Sequence, residues 1–208
     1  MFHPLHHARR TPEKPAYVMA GSGETVTYRQ LEDRSNQGAH LFRRLGLKRG
    51  DSIALMLDNN ARFFEICFAA QRAGLFYTAM STRLAPQEAE YIAEDCGAKA
   101  LLVSASLAEQ AAALASRNPR IATRFSVGGD LPGHRRWETE AAAEPTTRIA
   151  DESAGRDVLY SSGTTGRPKG VMWRQDDLYL ASNTSQDPPD ADPAHVRARV
   201  RAATKTPV

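Results

Sequence analysis

Four short strand candidates, at residues 52–57, 76–80, 100–103 and 121–127, recur along the chain with a helical pattern in each interval. Residues 52–57 form an apolar run without strict alternation, which suits a strand covered on both faces. Strands that are separated by helices pair in parallel, because a parallel neighbour can be reached only by a crossover of a dozen or more residues. The expected fold class is therefore α/β: a doubly wound, largely parallel sheet with flanking helices. Punctuation supports the same division. Asn59 and Asn60 can cap a helix that carries Phe63, Phe64, Ile66, Cys67 and Ala70 and stops at Gly74. Pro86 suits the first turn of a second helix, with Ala89, Tyr91, Ile92 and Cys96 running to Gly97. Ser106 and Glu109 have the spacing of a capping box for an alanine-rich third helix.

Ahead of this rhythm, residues 15–20 and 24–27 read as two strands around Gly21-Ser22-Gly23, a short N-terminal β-hairpin. Thr27 with Gln30 makes a capping box, and the helix it opens puts Leu31, Gly38, Phe42 and Leu45 near one face before stopping at Gly46. Tyr28 and Phe64 are assigned to the core. After Val127 the pattern weakens: residues 128–133 form a turn-rich break, Trp137 with residues 138–144 a short helix, and residues 145–155 a polar connection.

Composition excludes several classes. With 208 residues, 41% of them hydrophobic, there is material for a core. The net charge of +3, from 27 basic and 24 acidic residues, is mild and spread out, which argues against nucleic acid as a partner. Cys67 and Cys96 read as reduced thiols in or near the core. His3, His6 and His7 lack acidic or cysteine neighbours, so no metal ligands are assigned. No run reaches the 18 or so apolar residues of a membrane span, and the first residues lack a signal-peptide layout; a cytoplasmic location is expected.

The chemistry is concentrated at residues 160–171, Tyr-Ser-Ser-Gly-Thr-Thr-Gly-Arg-Pro-Lys-Gly-Val. Residues 157–160 and 170–173 flank it as two short buried strands. Between them lie four hydroxyls (Ser161, Ser162, Thr164, Thr165), three glycines (Gly163, Gly166, Gly170) and Lys169. Glycines let backbone N–H groups converge on an anion, hydroxyls add donors, and the lysine adds a mobile charge, so the set suits polyphosphate oxygens. The G-x-x-x-x-G-K-[ST] spacing is absent, Pro168 precedes the lysine, and no G-x-G-x-x-G opens a helix.

This run resembles the phosphate-loop signature of the adenylate-forming (AMP-dependent synthetase/ligase) superfamily; Ser161 stands where many members carry Thr. Upstream, Arg49-Gly-Asp51-Ser-Ile-Ala-Leu, Asn59-Asn60, Ala70-Gln-Arg-Ala73-Gly74, Ser81-Thr-Arg83-Leu84 and Glu90-Tyr91-Ile92 are similar, in order and spacing, to the N-terminal part of bacterial acyl-CoA synthetases. The resemblance implies that Ser161, Ser162, Gly163, Thr164, Thr165, Gly166 and Lys169 hold the ATP phosphates. It implies a ligase using ATP, Mg2+ and CoA to activate a carboxylic acid, fatty or steroid-derived by analogy. It also implies that the Mg2+ ligand, the adenine and ribose contacts and the adenylation lysine lie beyond Val208, so no catalytic residue is assigned here. Arg83 is read as fold-supporting. Residues 1–184 are expected to form part of the family's N-terminal domain, and residues 185–208 a Pro/Asp-rich linker with a basic helix. By themselves the 208 residues are expected to form no acyl-adenylate. The alternative is a non-catalytic nucleotide- or phosphate-binding module, or a decayed gene product.

Overall fold

The computed structural model describes residues 4–162 and 168–171. These fall into two units, divided between Asp33 and Arg34.

The first unit contains helix α1 (Pro4–Arg10) and strands β1 (Pro15–Val18) and β2 (Thr25–Thr27), which pair antiparallel as the expected hairpin. Helix α2 (Tyr28–Arg44) follows directly. Its capping box forms as the sequence spacing requires: Gln30 N–H donates to Thr27 Oγ1 at 3.3 Å, and Thr27 N–H donates to Gln30 Oε1 at 3.0 Å. Tyr28 is half-buried and stacks on His7, ring centroids 4.5 Å apart.

In the second unit the expected strands appear as β3 (Ser52–Met56), β4 (Phe76–Ala79), β5 (Ala98–Ser104) and β6 (Thr123–Val127). Helices α3 (Arg62–Arg72), α4 (Pro86–Asp95) and α5 (Ala108–Arg117) fill the intervals. Two strands of two residues, β7 (Arg135–Arg136) and β8 (Arg156–Asp157), complete a six-stranded sheet in the order β7-β6-β5-β3-β4-β8. Every pair in it is parallel. The short helix α6 (Trp137–Ala142) lies between β7 and β8 in the chain.

Alternate residues of the central strands feed two separate cores, as a doubly wound sheet requires. Ile53, Leu55, Ala100, Leu102 and Phe125 join Phe42 of α2, Ile66 and Ala70 of α3 and Trp137 of α6. Ala54, Met56, Leu101 and Val103 join Ala89 and Ile92 of α4 and Ala111 and Leu114 of α5. Gly38 permits the close approach that its position suggested: a Cβ there would stand 2.6 Å from Ala69 Cβ and 2.9 Å from Trp137 Cζ2. Gly46, Gly74 and Gly97 all take positive φ at helix ends.

Four expectations need correction. Phe64 is 48% exposed, edge-on to Phe63, and does not belong to the core. The helix after β3 begins at Arg62, so Asn60 caps it from one residue further out, its Oδ1 accepting the Arg62 N–H at 2.9 Å. Ser106 does not cap α5. Residues Ala105–Leu107 form a 3-10 turn instead, so that α5 begins at Ala108 with Ser106 inside the turn, and the Ser106 hydroxyl donates to Asp58 Oδ2 at 2.6 Å, a charge-assisted bond. The strand expected over residues 157–160 is interrupted: β8 ends at Asp157, and a separate strand, β9 (Leu159–Ser162), leaves the sheet and pairs antiparallel with β10 (Pro168–Val171). Both are more open than the buried strands expected, with Leu159 48% and Val171 40% exposed.

Gly155 brings the chain back to the sheet edge. Its N–H donates to Gln71 O at 2.7 Å, and a Cβ on it would strike the backbone carbonyls of Leu75 and Ala70. Gly155→Ala is accordingly expected to push β8 off β4, costing about 1–3 kcal/mol by the usual scale of overpacking. Urea unfolding of the variant would check this, and an unchanged midpoint would contradict it.

Candidate functional site

β8 runs parallel to β4, pairing Phe76 with Arg156 and Tyr77 with Asp157, and Val158 N–H adds a bond to Tyr77 O at 2.9 Å. The chain therefore emerges into β9 past the carboxyl end of β4, the end of a doubly wound sheet at which ligands bind. In the β9–β10 hairpin, Lys169 pairs with Ser161, Gly170 with Tyr160, Val171 with Leu159 and Pro168 with Ser162. Directly opposed residues of an antiparallel pair share a face, and successive residues alternate. Ser161 and Lys169, both singled out from the sequence, are thus cross-strand neighbours on one exposed face, flanked by Leu159 and Val171. A hydroxyl and an ammonium side by side on an open ribbon suit phosphate oxygens, the first as a donor and the second as a charge.

The opposite face of the hairpin looks inward. Tyr160 is half-buried, packs beside Tyr91 and Cys96, and donates its hydroxyl to Asp95 Oδ2 at 2.6 Å. Burial and the adjacent Asp95 carboxylate push the phenol well above its ordinary range, so it stays a donor. Gly170 lies against the ring: a Cβ there would come within 3.0 Å of Tyr160 Cζ. Of the remaining residues assigned from the motif, Gly163, Thr164, Thr165 and Gly166 lie outside the described residues, as do residues 172–208 and His3. Ser162 is placed by its backbone pairing with Pro168.

A second polar constellation escaped the sequence reading. The strand order reverses between β3 and β5, and at their carboxyl ends the Asp58 carboxylate accepts from Ser104 Oγ at 2.7 Å, Ser106 Oγ at 2.6 Å and Asn60 Nδ2 at 2.8 Å. Burial raises this carboxyl, but the three side-chain donors outweigh it and hold it below the ordinary carboxylate value. The available signal was an Asp just after one apolar strand and two serines just after the next. With these donors directed at Asp58, the cluster stitches β3 to β5. A cavity of about 210 Å3 lies between α2, α3 and α6, where Arg34 and Arg62 reach Glu65 at 2.8 and 3.2 Å.

Cys67 and Cys96 are free thiols, both pushed upward by burial. Arg83 is exposed, and its N–H donates to Ser81 Oγ at 3.2 Å. Among the described residues no group of three or more His, Cys, Asp and Glu is placed to hold a metal ion, and no helix is long and apolar enough to cross a membrane.

Comparison with known proteins supports the fold. The chain is 31% identical over 178 residues to the long-chain-fatty-acid–CoA ligase FadD13 of Mycobacterium tuberculosis, covering 84% of this chain and 34% of the ligase. It is 30% identical over 176 residues to the 3-oxocholest-4-en-26-oate–CoA ligase of Rhodococcus rhodochrous, covering 81% of this chain and 31% of that enzyme. Among solved structures, the anthranilate CoA ligase AuaEII in complex with anthranoyl-AMP superposes with a TM-score of 0.73 at 26% identity, over 86% of this chain and 36% of that one. The chain thus spans about a third of the length of the curated relatives it matches. Residues 5–202 match the family described as AMP-binding enzyme, and with the parallel sheet and the hairpin at its carboxyl end already established, the chain belongs to that family.

Proposed function

We propose that this chain holds the ATP phosphates for an adenylate-forming acyl-CoA ligase, in which a carboxylate attacks the α-phosphate to give acyl-AMP and pyrophosphate, and CoA then takes the acyl group. The observation that carries the reading is the pairing of Ser161 with Lys169 on the open face of the hairpin. Ser161 and Lys169 bind the triphosphate from this face, and Ser162, Gly163, Thr164, Thr165 and Gly166 are the further phosphate-binding residues of the motif. Their contribution is to hold geometry and neutralise charge, so that the α-phosphorus stays aligned for in-line attack. Mg2+ enters with the nucleotide and supplies further charge neutralisation. No protein ligand for it is assigned, because among the described residues the hairpin's open face carries no carboxylate. Fatty or steroid-derived acids are the proposed substrates, by analogy with the ligases similar to this chain, and the cytoplasm is the proposed location.

Titration with nucleotides tests the phosphate-binding role. MgATP, GTP and inorganic triphosphate should compete within about one order of magnitude of one another, since the assigned groups all address phosphate, whereas adenosine should bind far more weakly. Adenosine binding as tightly as MgATP would overturn the reading. Where acid-dependent turnover is measured, AMP and pyrophosphate should be the nucleotide products; ADP and orthophosphate would rule out adenylate formation.

A further inference from the structure

Among the described residues, backbone hydrogen bonds link the segment leading into the β9–β10 hairpin to the six-stranded sheet through the two-residue pairing of β8 with β4 and one further bond from Val158 to Tyr77. Beyond that point its two strands pair with each other. A ribbon held at one end can swing, and a phosphate site on its outer face is useful only if that face has a fixed direction.

The described side chain that ties the hairpin down is Tyr160. Its ring lies against Gly170, where a Cβ would meet ring atoms at 3.0–3.2 Å, and its hydroxyl ends on Asp95 Oδ2 at 2.6 Å. Asp95 is the last residue of α4, and its other oxygen accepts from Tyr91, one turn back on the same helix, at 3.4 Å. The carboxylate is thus placed between two phenols, and the shorter bond has the length of a charge-assisted one. Because adjacent strand residues point to opposite faces, holding Tyr160 inward holds Ser161 and its neighbour Lys169 outward.

We propose that Asp95 is a positioning residue for the phosphate-binding hairpin: by gripping the Tyr160 hydroxyl it sets the direction in which Ser161 and Lys169 meet a polyphosphate. This rests on the phosphate-binding reading given above. Asp95 itself touches no nucleotide; it acts through Tyr160.

The test uses the 208-residue chain with Tyr160→Phe, Asp95→Ala, Asp95→Asn and the double variant Tyr160→Phe/Asp95→Ala. MgATP affinity is measured by calorimetry, and amide exchange is followed at residues 159–161 and 169–171, with 52–56 as the internal reference. Tyr160→Phe and Asp95→Ala should each weaken MgATP about tenfold, the usual scale for one lost hydrogen bond to a charged group. The double variant should be no weaker than either single one, because both remove the same contact. Asp95→Asn keeps an acceptor oxygen and should retain most of the affinity. In the weakened variants the hairpin amides should exchange about tenfold faster while those of β3 stay as they were. Unchanged hairpin exchange in Tyr160→Phe overturns the proposal whether or not nucleotide binds. So does faster exchange with unchanged MgATP affinity, which would make the contact a structural tie and nothing more. Lys169→Ala separates the two readings: if it leaves MgATP affinity intact the phosphate-binding role fails, whereas if it weakens binding and Asp95→Ala does not, only the positioning role fails.

Discussion

Replacing Trp137 by alanine is expected to lower the unfolding free energy by about 3–5 kcal/mol, the range for deleting a large buried aromatic side chain. Trp137 is only 2% exposed, with Phe42 5.4 Å away in a tilted contact and Phe125 edge-on at 5.6 Å. Its ring also reaches the surface left bare by Gly38. It therefore sits where α2, β6 and α6 meet, and removing it leaves a cavity that three elements would have to move together to close. Helix α6, six residues long, depends on tertiary contacts, since a helix that short is marginal without them: Trp137 and Ala141 are its buried residues, while Glu138 accepts the Gly128 N–H and Glu140 accepts from Arg44 and Arg135. Urea unfolding followed by circular dichroism would measure the loss, and a change below about 1 kcal/mol would show that the site collapses or that Trp137 is not the keystone of that core. Trp137→Phe keeps an aromatic at the centre and should cost clearly less.

Lys169→Ala is expected to act in the opposite way, sparing stability and removing function. Lys169 is exposed on the hairpin's open face, so its loss should move the unfolding free energy by no more than about 0.5 kcal/mol. The same substitution deletes a charge-assisted contact to phosphate, worth about 1.5–3 kcal/mol, and should weaken MgATP roughly tenfold to a hundredfold. Lys169→Arg retains the charge and should recover part of the binding, though its planar fork presents its donors differently from an ammonium. Calorimetric titration beside a thermal melt would separate the two effects. A lysine that could be removed without loss of affinity would mean that phosphate is held elsewhere.

The parts of the molecule that could be read in the sequence are those whose signals are local. Residues 53–56 of β3 and 100–103 of β5 announce themselves because the stretch of a strand buried on both faces is apolar, and the Thr27–Gln30 box because both partners lie within one turn. The strands β7 and β8 could not be read. They are Arg-Arg and Arg-Asp, polar and too short to show a period, and they exist because a neighbouring strand offers an unpaired edge. Ser106 misled for a related reason: its spacing to Glu109 fits a cap, but a 3-10 turn over Ala105–Leu107 takes that position, and its hydroxyl is engaged by Asp58, 48 residues away in the chain. At the candidate site, residue types and order were legible in the run from Tyr160 to Val171, while the direction of each side chain was not. That Ser161 and Lys169 share a face, and that Tyr160 turns away to Asp95, follows from the antiparallel register and a contact spanning 65 positions.

The pairing of β8 with β4 also sets an order in time. Contacts inside the β9–β10 hairpin are local, and hairpins of this size close in about 1–10 µs. A sheet made wholly of parallel pairs must close long loops before any of those pairs is rewarded, which makes its assembly slow. The hairpin can therefore exist before it has anywhere to sit: its orientation is defined only once Arg156 has met Phe76 and Tyr160 has met Asp95. During refolding, competence to bind a nucleotide should be among the last properties to return, lagging the recovery of secondary structure and reporting the arrival of the sheet's outermost strand.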